Sequence, residues 1–185
     1  MSHQLGLDSV YEKLVLLEHF AFGSQQYCSA RLIGSEDDQG DGELDKYWGW
    51  LKGIVSSYLI ECAVRVRMLQ DTVRGEDATQ LARLDKQAAS NLTIGTIVEG
   101  DFRLSLRETC NKIIHAQKAV PEWRLTVNGG TQYKSWSGDY SLLGAKGARD
   151  WELRLHVAPW AHAMSQFLDA AESAELTHYV GQDWY

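Results

Sequence analysis

Proline is scarce in this chain: Pro121 and Pro159 are the only two in 185 residues. The long stretch before Pro121 therefore has no ring to break a helix. Cysteine is scarce too. Cys28, Cys62 and Cys110 are odd in number and far apart, and each sits among apolar neighbours in a helical pattern. That excludes a disulfide framework and predicts buried free thiols. No window approaches the roughly eighteen uninterrupted apolar residues of a membrane span, and Met1-Ser2-His3-Gln4-Leu5-Gly6 lacks a charged segment followed by an apolar run. The expectation is a cytoplasmic protein with no membrane partner.

The six histidines (His3, His19, His115, His156, His162 and His178) contain no pair four residues apart, no His-Glu-x-x-His string and no accompanying Cys-x-x-Cys. A dedicated metal site is not expected, and no cofactor motif is present. His156 reads as a solvent-facing strand end. Gly129-Gly130 and Gly144-x-x-Gly147 read as hairpin glycines, because no strand-to-helix turn follows them as a phosphate-binding loop requires. A Gly-x-Ser-x-Gly elbow is also missing, which removes the usual serine hydrolase. Positive charge is in deficit, with a net charge of −7. That argues against a broad basic surface for duplex nucleic acid, although a local site for one or two phosphates needs only a few cations.

What is present is ordinary globular composition, 44% hydrophobic and 23% charged, which gives enough apolar surface for one compact domain over 1–185. No repeat, low-complexity tract or linker divides it. From Leu7 to about Ile33 the apolar residues Val10, Leu14, Leu17 and Ala21 recur at helical spacing after Asp8 or Ser9 as N-cap. Gly34 ends that helix, and the acidic, glycine-rich segment from Ser35 to Gly42 reads as an exposed mobile loop. A second long helix is expected from about Glu43 to Arg74, with Leu51, Val55, Leu59, Cys62, Val66 and Leu69 on its apolar side. Its length implies antiparallel pairing with the first. Gly75-Glu76-Asp77 interrupts it, and Asp77 is expected to cap a shorter helix carrying Leu81, Leu84 and Ala88. Asn91 to Glu99 mixes apolar residues with threonine and glycine and is read as a connector. Asp101 is expected to cap a further helix that Pro121 ends.

After Pro121 the period changes from near four to two. Glu122 to Val127 and Trp151 to His156 alternate apolar with polar residues, as half-buried strands do. Asn128-Gly129-Gly130 marks a turn, Gln132 to Leu143 a middle strand, and Gly144 to Asp150 a second turn. Pro159 then suits the first turn of a closing helix with Trp160, Ala163, Met164, Phe167 and Leu168 on its core face. The expected fold class is mainly α: two long antiparallel helices plus shorter ones, with a small three-stranded antiparallel β-meander at about 122–156 before the last helix and a peripheral tail at 175–185.

The chemistry of the chain concentrates between Asp101 and Pro121. Arg103, Arg107, Asn111 and His115 recur every four residues, so on a helix they form one slanting stripe. An imidazole near neutral pKa gives or takes a proton, an arginine holds phosphate and stabilises charge developing on it, and an amide orients either. Those roles fall to His115, Arg107 and Asn111, with Arg103 and Lys112 as substrate contacts. The set suits metal-free RNA cleavage, in which a base removes the 2′-hydroxyl proton and a cation supports the phosphorane. The plainer alternative is a solvated helix face with Arg107 partnered by Glu108 or an aspartate. On the second helix, Glu61 and Arg65 read as an i, i+4 ion pair, and a place for Arg67 beside the motif helix is the lesser reading.

Asn111-Lys112-Ile113-Ile114-His115, following two long helices, resembles the Asn-x-x-x-His half of the HEPN superfamily motif, and the resemblance covers roughly Leu7 to Val120. It implies a small helical domain that acts as a homodimer. It also implies RNA binding with metal-independent endoribonuclease activity, in a toxin or defence setting with an antitoxin or other protein partner. The meander would be an insertion before the last helix. The arginine departs from the family pattern, since Cys110 stands directly before Asn111 and Arg107 lies further from His115 than the family's arginine does. That spacing favours the alternative, a non-catalytic module for a protein or nucleotide.

Aromatic residues give a second signal. Trp123, Tyr133, Trp136, Tyr140 and Trp151 interleave with Arg124, Lys134, Lys146, Arg149 and Arg154, a composition that can stack on unpaired bases. Trp123 and Trp151 share the phase of Leu125, Val127, Leu153 and Leu155 and are read as sheet core, while Trp136 and Tyr140 stay open. Trp48 and Trp50 cannot both face one helix's core, which frees Trp50 for a partner or the sheet.

Overall fold

The computed structural model of the protein describes residues 7–35 and 43–179, apart from the side chains of 43, 74–77, 178 and 179. Most of the expected acidic loop and the end of the tail lie outside the described residues. The elements are α1 (Leu7–Ala30), α2 (Glu43–Ala88), β1 (Gly95–Glu99), α3 (Leu106–His115), β2 (Lys118–Asn128), β3 (Thr131–Lys146), β4 (Arg149–His156) and α4 (Val157–Ser173), followed by a 3-10 turn at Leu176–Tyr179.

Helical spacing in the sequence produces the core directly. Val10, Leu14, Leu17, Ala21 and Cys28 form the buried side of α1, and α2 buries Leu51, Val55, Leu59, Cys62, Val66 and Leu69. The two helices run antiparallel: the Cys62 thiol approaches the Val10 carbonyl, Lys13 pairs with Glu61 at 3.2 Å, and further along the Tyr47 hydroxyl donates to Ser24 at 2.9 Å. Helix α4 crosses the other side of α1, where the Tyr11 hydroxyl donates to Asp169 at 2.7 Å. Its expected core residues Trp160, Ala163, Met164, Phe167 and Leu168 are all fully buried. Cys28, Cys62 and Cys110 are buried free thiols. Burial raises the pKa of each, that of Cys62 to about 12, and so holds them as thiols.

The sheet corrects the expected fold class. It is not a three-stranded meander but a four-stranded antiparallel sheet of order β1-β4-β3-β2. The segment read as a connector supplies β1, which pairs with β4 from Gly95 opposite Leu155 to Glu99 opposite Glu152. Gly95 is needed there, because a Cβ would stand 2.8 Å from the Arg154 carbonyl oxygen. The run Thr96-Ile97-Val98 is β-branched, which suits a strand. As an edge strand it buries only Gly95, so it shows no alternation.

Three further boundaries move. Helix α2 continues through Arg74-Gly75-Glu76-Asp77 to Ala88. One helical glycine costs about 1 kcal/mol relative to alanine. Burial of Val73, Leu81, Leu84 and Ala88 on the same helix offsets that cost. Helix α3 starts at Leu106, capped by Ser105 rather than Asp101, because Ser-x-x-Glu places the Ser105 hydroxyl to accept from Glu108 N at 3.1 Å. It ends at His115, well before Pro121, which lies in edge strand β2 where a missing N–H is tolerated.

The Gly129-Gly130 turn forms as expected at positive φ, whereas the second turn is tighter than expected: Gly144 lies in β3 opposite Trp151, and the chain reverses at Gly147. Trp151, Leu153 and Leu155 are buried as expected, and Trp136 and Tyr140, which the sequence leaves open, are fully buried too. Trp123 is half-buried, whereas Leu125 and Val127 are 64% and 67% exposed. The phase fails at an irregularity in β2–β3 pairing between Pro121 and Trp123, opposite Gly138, which has φ +90 and lies against Ala21. His156 is half-buried, with Nδ1 2.7 Å from Asp139 and Nε2 3.1 Å from the Thr96 hydroxyl.

Candidate functional site

The C-terminal half of α2, the segment Phe102–Ser105 and the first turns of α3 enclose a groove of about 970 Å³. Helix α3 is antiparallel to α2 and is anchored at its start by Asp85. That carboxylate accepts from Leu106 N at 3.0 Å and Arg107 N at 2.9 Å, so the exposed amides and positive end of the helix dipole meet an internal anion. Deeper in, Trp160 donates to Thr109 at 2.9 Å and fixes α3 to α4.

Three of the four stripe residues line the groove: Arg103, Arg107 and Asn111. Arg103 precedes the helix and is exposed. Arg107 donates to Asp71, and Arg67 donates to the same carboxylate oxygen at 2.7 Å. The Asn111 amide bridges two charges, accepting from Arg67 Nε at 2.8 Å and donating to Glu108 at 3.0 Å. Arg67 thus stands beside the motif helix, while Glu61 and Arg65 form the expected pair at 2.9 Å.

His115 stands elsewhere. It is exposed at the far end of α3 and does not line the groove. Eight helical residues place it about 12 Å along the axis and about 80° around it from Arg107. Lys112 is buried, with Nζ 4.1 Å from the ring centroids of both Phe102 and Trp151 and 3.5 Å from Glu108. It is a cation held between two rings rather than one presented to the groove.

Charges inside this network answer one another. Burial opposes ionisation of Asp71, yet the hydrogen bonds from Arg107 and Arg67 outweigh it and hold the carboxyl below its ordinary value. The rim differs: Lys86, Arg103 and Lys146 line the groove, are exposed and make no ion pair among the described residues. On the floor, the fully buried Gln70 amide and Nη1 of Arg107 have no hydrogen-bond partner among the described residues. Asp71 was legible as the i+4 neighbour of Arg67. Gln70, Asp85, Lys86 and Lys146 are joined to the stripe only by tertiary packing and leave no local signal.

Comparison of the chain with protein-family models, curated proteins and solved structures finds no match.

Proposed function

We propose that the chain is a non-catalytic module that binds RNA or nucleotide phosphate along the rim of the α2–α3 groove. The observation that carries this reading is the contrast between Lys86, Arg103 and Lys146 on the rim, which make no ion pair among the described residues, and the carboxylates beside them, Asp85 and Glu108, which are engaged by α3 amides, Asn111 and Lys112. Three exposed cations around a concave polar surface attract phosphate even on a chain of net charge −7. Cleavage is not part of the proposal, because the imidazole that would move a proton stands outside the groove and Arg107 already has an anion. The resemblance to HEPN proteins accommodates this reading, since that superfamily includes members that only bind.

Binding of a fluorescent single-stranded RNA, followed by anisotropy across a salt series, tests it. Replacing Lys86, Arg103 and Lys146 together by glutamine is expected to weaken binding. It should also reduce the slope of log affinity against log salt by about 2, from about 0.7 per phosphate contact. Equal affinity and slope for the variant would refute the rim as the binding surface. RNA cleavage in the presence of chelator, abolished by His115→Ala, would instead restore the endoribonuclease.

A further inference from the structure

At the opposite end of α2 lies a second concavity, about 660 Å³, between α1 and the first turns of α2. Its walls are aromatic. The Tyr27 ring lies 5.2 Å from that of Tyr47 at 26°, Trp50 lies 6.1 Å from Tyr47 at 32°, and Phe20 meets Trp50 edge-on at 5.5 Å. Tyr27 and Tyr47 thus stack on each other, Trp50 is tilted against Tyr47, and Phe20 stands across Trp50. Trp50 is 50% exposed and Tyr27 48%, an unusual amount of open aromatic surface to cluster at one concavity.

The wall is held rigidly. Tyr47 donates to Ser24, whose hydroxyl also accepts from the backbone N–H of Trp136 at 3.1 Å, so helix and sheet fix the ring together. Gly23 lines the cleft, and a Cβ built on it meets nothing within 4 Å. Lys46 is an exposed cation in the lining, and no carboxylate lines the cleft among the described residues. The Arg31 guanidinium lies 6.0 Å over the Tyr27 ring. His19 Nδ1 donates to the Val15 carbonyl at 2.8 Å, which ties the ring to its own helix.

We propose that this cleft is a binding site for a small planar aromatic molecule bearing an anionic group. Its volume falls within the range of small-molecule sites, and its lining combines apolar surface with few polar groups as such sites do. The half-exposed Tyr27 and Trp50 rings favour a flat guest, which stacks on an open ring face at an offset. Lys46 in the lining favours an anion over a neutral or cationic analogue. Nothing in this assignment depends on the α2–α3 groove, because Trp50 and Gln70 are twenty residues apart on one helix, about 30 Å.

Titration with naphthalene-2-sulfonate, naphthalene and naphthylmethylammonium, followed by calorimetry on the full chain, tests the site. The sulfonate is expected to bind most tightly. Gly23→Leu, which puts a side chain into the open space on a helix that tolerates it, should weaken it by at least about tenfold. Lys46→Gln should weaken the sulfonate by roughly threefold and leave naphthalene unchanged. Trp50→Ala, at a half-exposed position, provides a second disruption should the leucine disturb α1. Absence of sulfonate binding, equal binding of the ammonium analogue, or unchanged affinity in both Gly23→Leu and Trp50→Ala would overturn the proposal.

Discussion

The two ends of α2 solve the same problem, a concave surface beside a long helix, in opposite ways. At the α3 end the groove is polar, and most of its charges are answered from within: Asp71 by two arginines, Asn111 by Arg67 and Glu108, the amides of α3 by Asp85. At the α1 end Tyr47 is buried and fixed by the Tyr47–Ser24–Trp136 link, and the neighbouring Tyr27 and Trp50 rings are about half exposed. A polar group satisfied internally is no longer available to a ligand, whereas an aromatic face can be locked by its edge and still stack. Under the proposed function, recognition at the first end is left to long rim side chains and should fade with salt. At the second it is preorganised and mainly apolar.

The largest expected effect concerns the aromatic end's dependence on the sheet. Trp136 is fully buried, donates from Nε1 to the Asp139 carbonyl at 2.7 Å and meets Tyr140 edge-on at 6.1 Å. Trp136→Ala should cost about 3–5 kcal/mol in chemical denaturation. A cost below about 1 kcal/mol would mean that the Trp136 ring adds little to the packing behind the wall, whose backbone N–H bond to Ser24 the variant keeps.

Next comes the polar end's anchor. Asp85 is buried and holds two α3 amides. Asp85→Ala should cost about 2 kcal/mol and speed hydrogen exchange at Leu106 and Arg107. Unchanged exchange there would remove Asp85 as the cap.

How far these features were legible in the sequence follows the range of the interactions. Helices α1 and α4 and the Gly129-Gly130 hairpin rest on contacts visible within a few residues, and they form as spacing and turn chemistry predict. Strand β1 rests on β4, more than fifty residues away in sequence, and its exposed outer face erases the alternation that would mark it. The continuity of α2 is decided by burial on both sides of Gly75, which helix propensity alone does not show. Parity assigns Leu125 and Val127 to the core, and the pairing irregularity between Pro121 and Trp123 leaves them exposed instead. The stripe was legible as a pattern. Its chemistry was not, because the residues that engage it, Arg67 and Asp71, lie on another helix, and because Ser105 starts α3 after Arg103 and thus removes one member from the helix.

A smaller effect of opposite sign is expected at the groove floor. The Gln70 amide is fully buried without a partner among the described residues, which costs free energy that a similarly shaped apolar side chain avoids. Gln70→Met should therefore raise stability by about 1 kcal/mol in thermal or urea unfolding. Destabilisation instead would show that the amide is hydrogen-bonded in solution and that the floor is as satisfied as the walls.

The smallest effect tests whether the polar end's internal pairing matters at all. Asp71 has its carboxyl held below the ordinary value of 3.8. A depressed folded pKa means that the unfolded chain takes up the proton first as pH falls. The stabilisation is thus fully present above about pH 4–5 and lost as the pH drops through the lower, folded value. Because the Asp71 side chain is 53% exposed, water screens the pair, and its contribution should stay within about 1 kcal/mol. Glu122 is also held low on the sheet, where hydrogen bonds from Ser141 and Arg154 outweigh the burial that opposes its ionisation. Asp71→Asn should therefore flatten only part of the acid limb of a stability–pH curve. An unchanged limb would mean that the bonds of Arg67 and Arg107 to Asp71 are geometric without being energetic. Arg107 would then be as available to a phosphate as the three rim cations, and the contrast between the two ends of α2 would narrow accordingly.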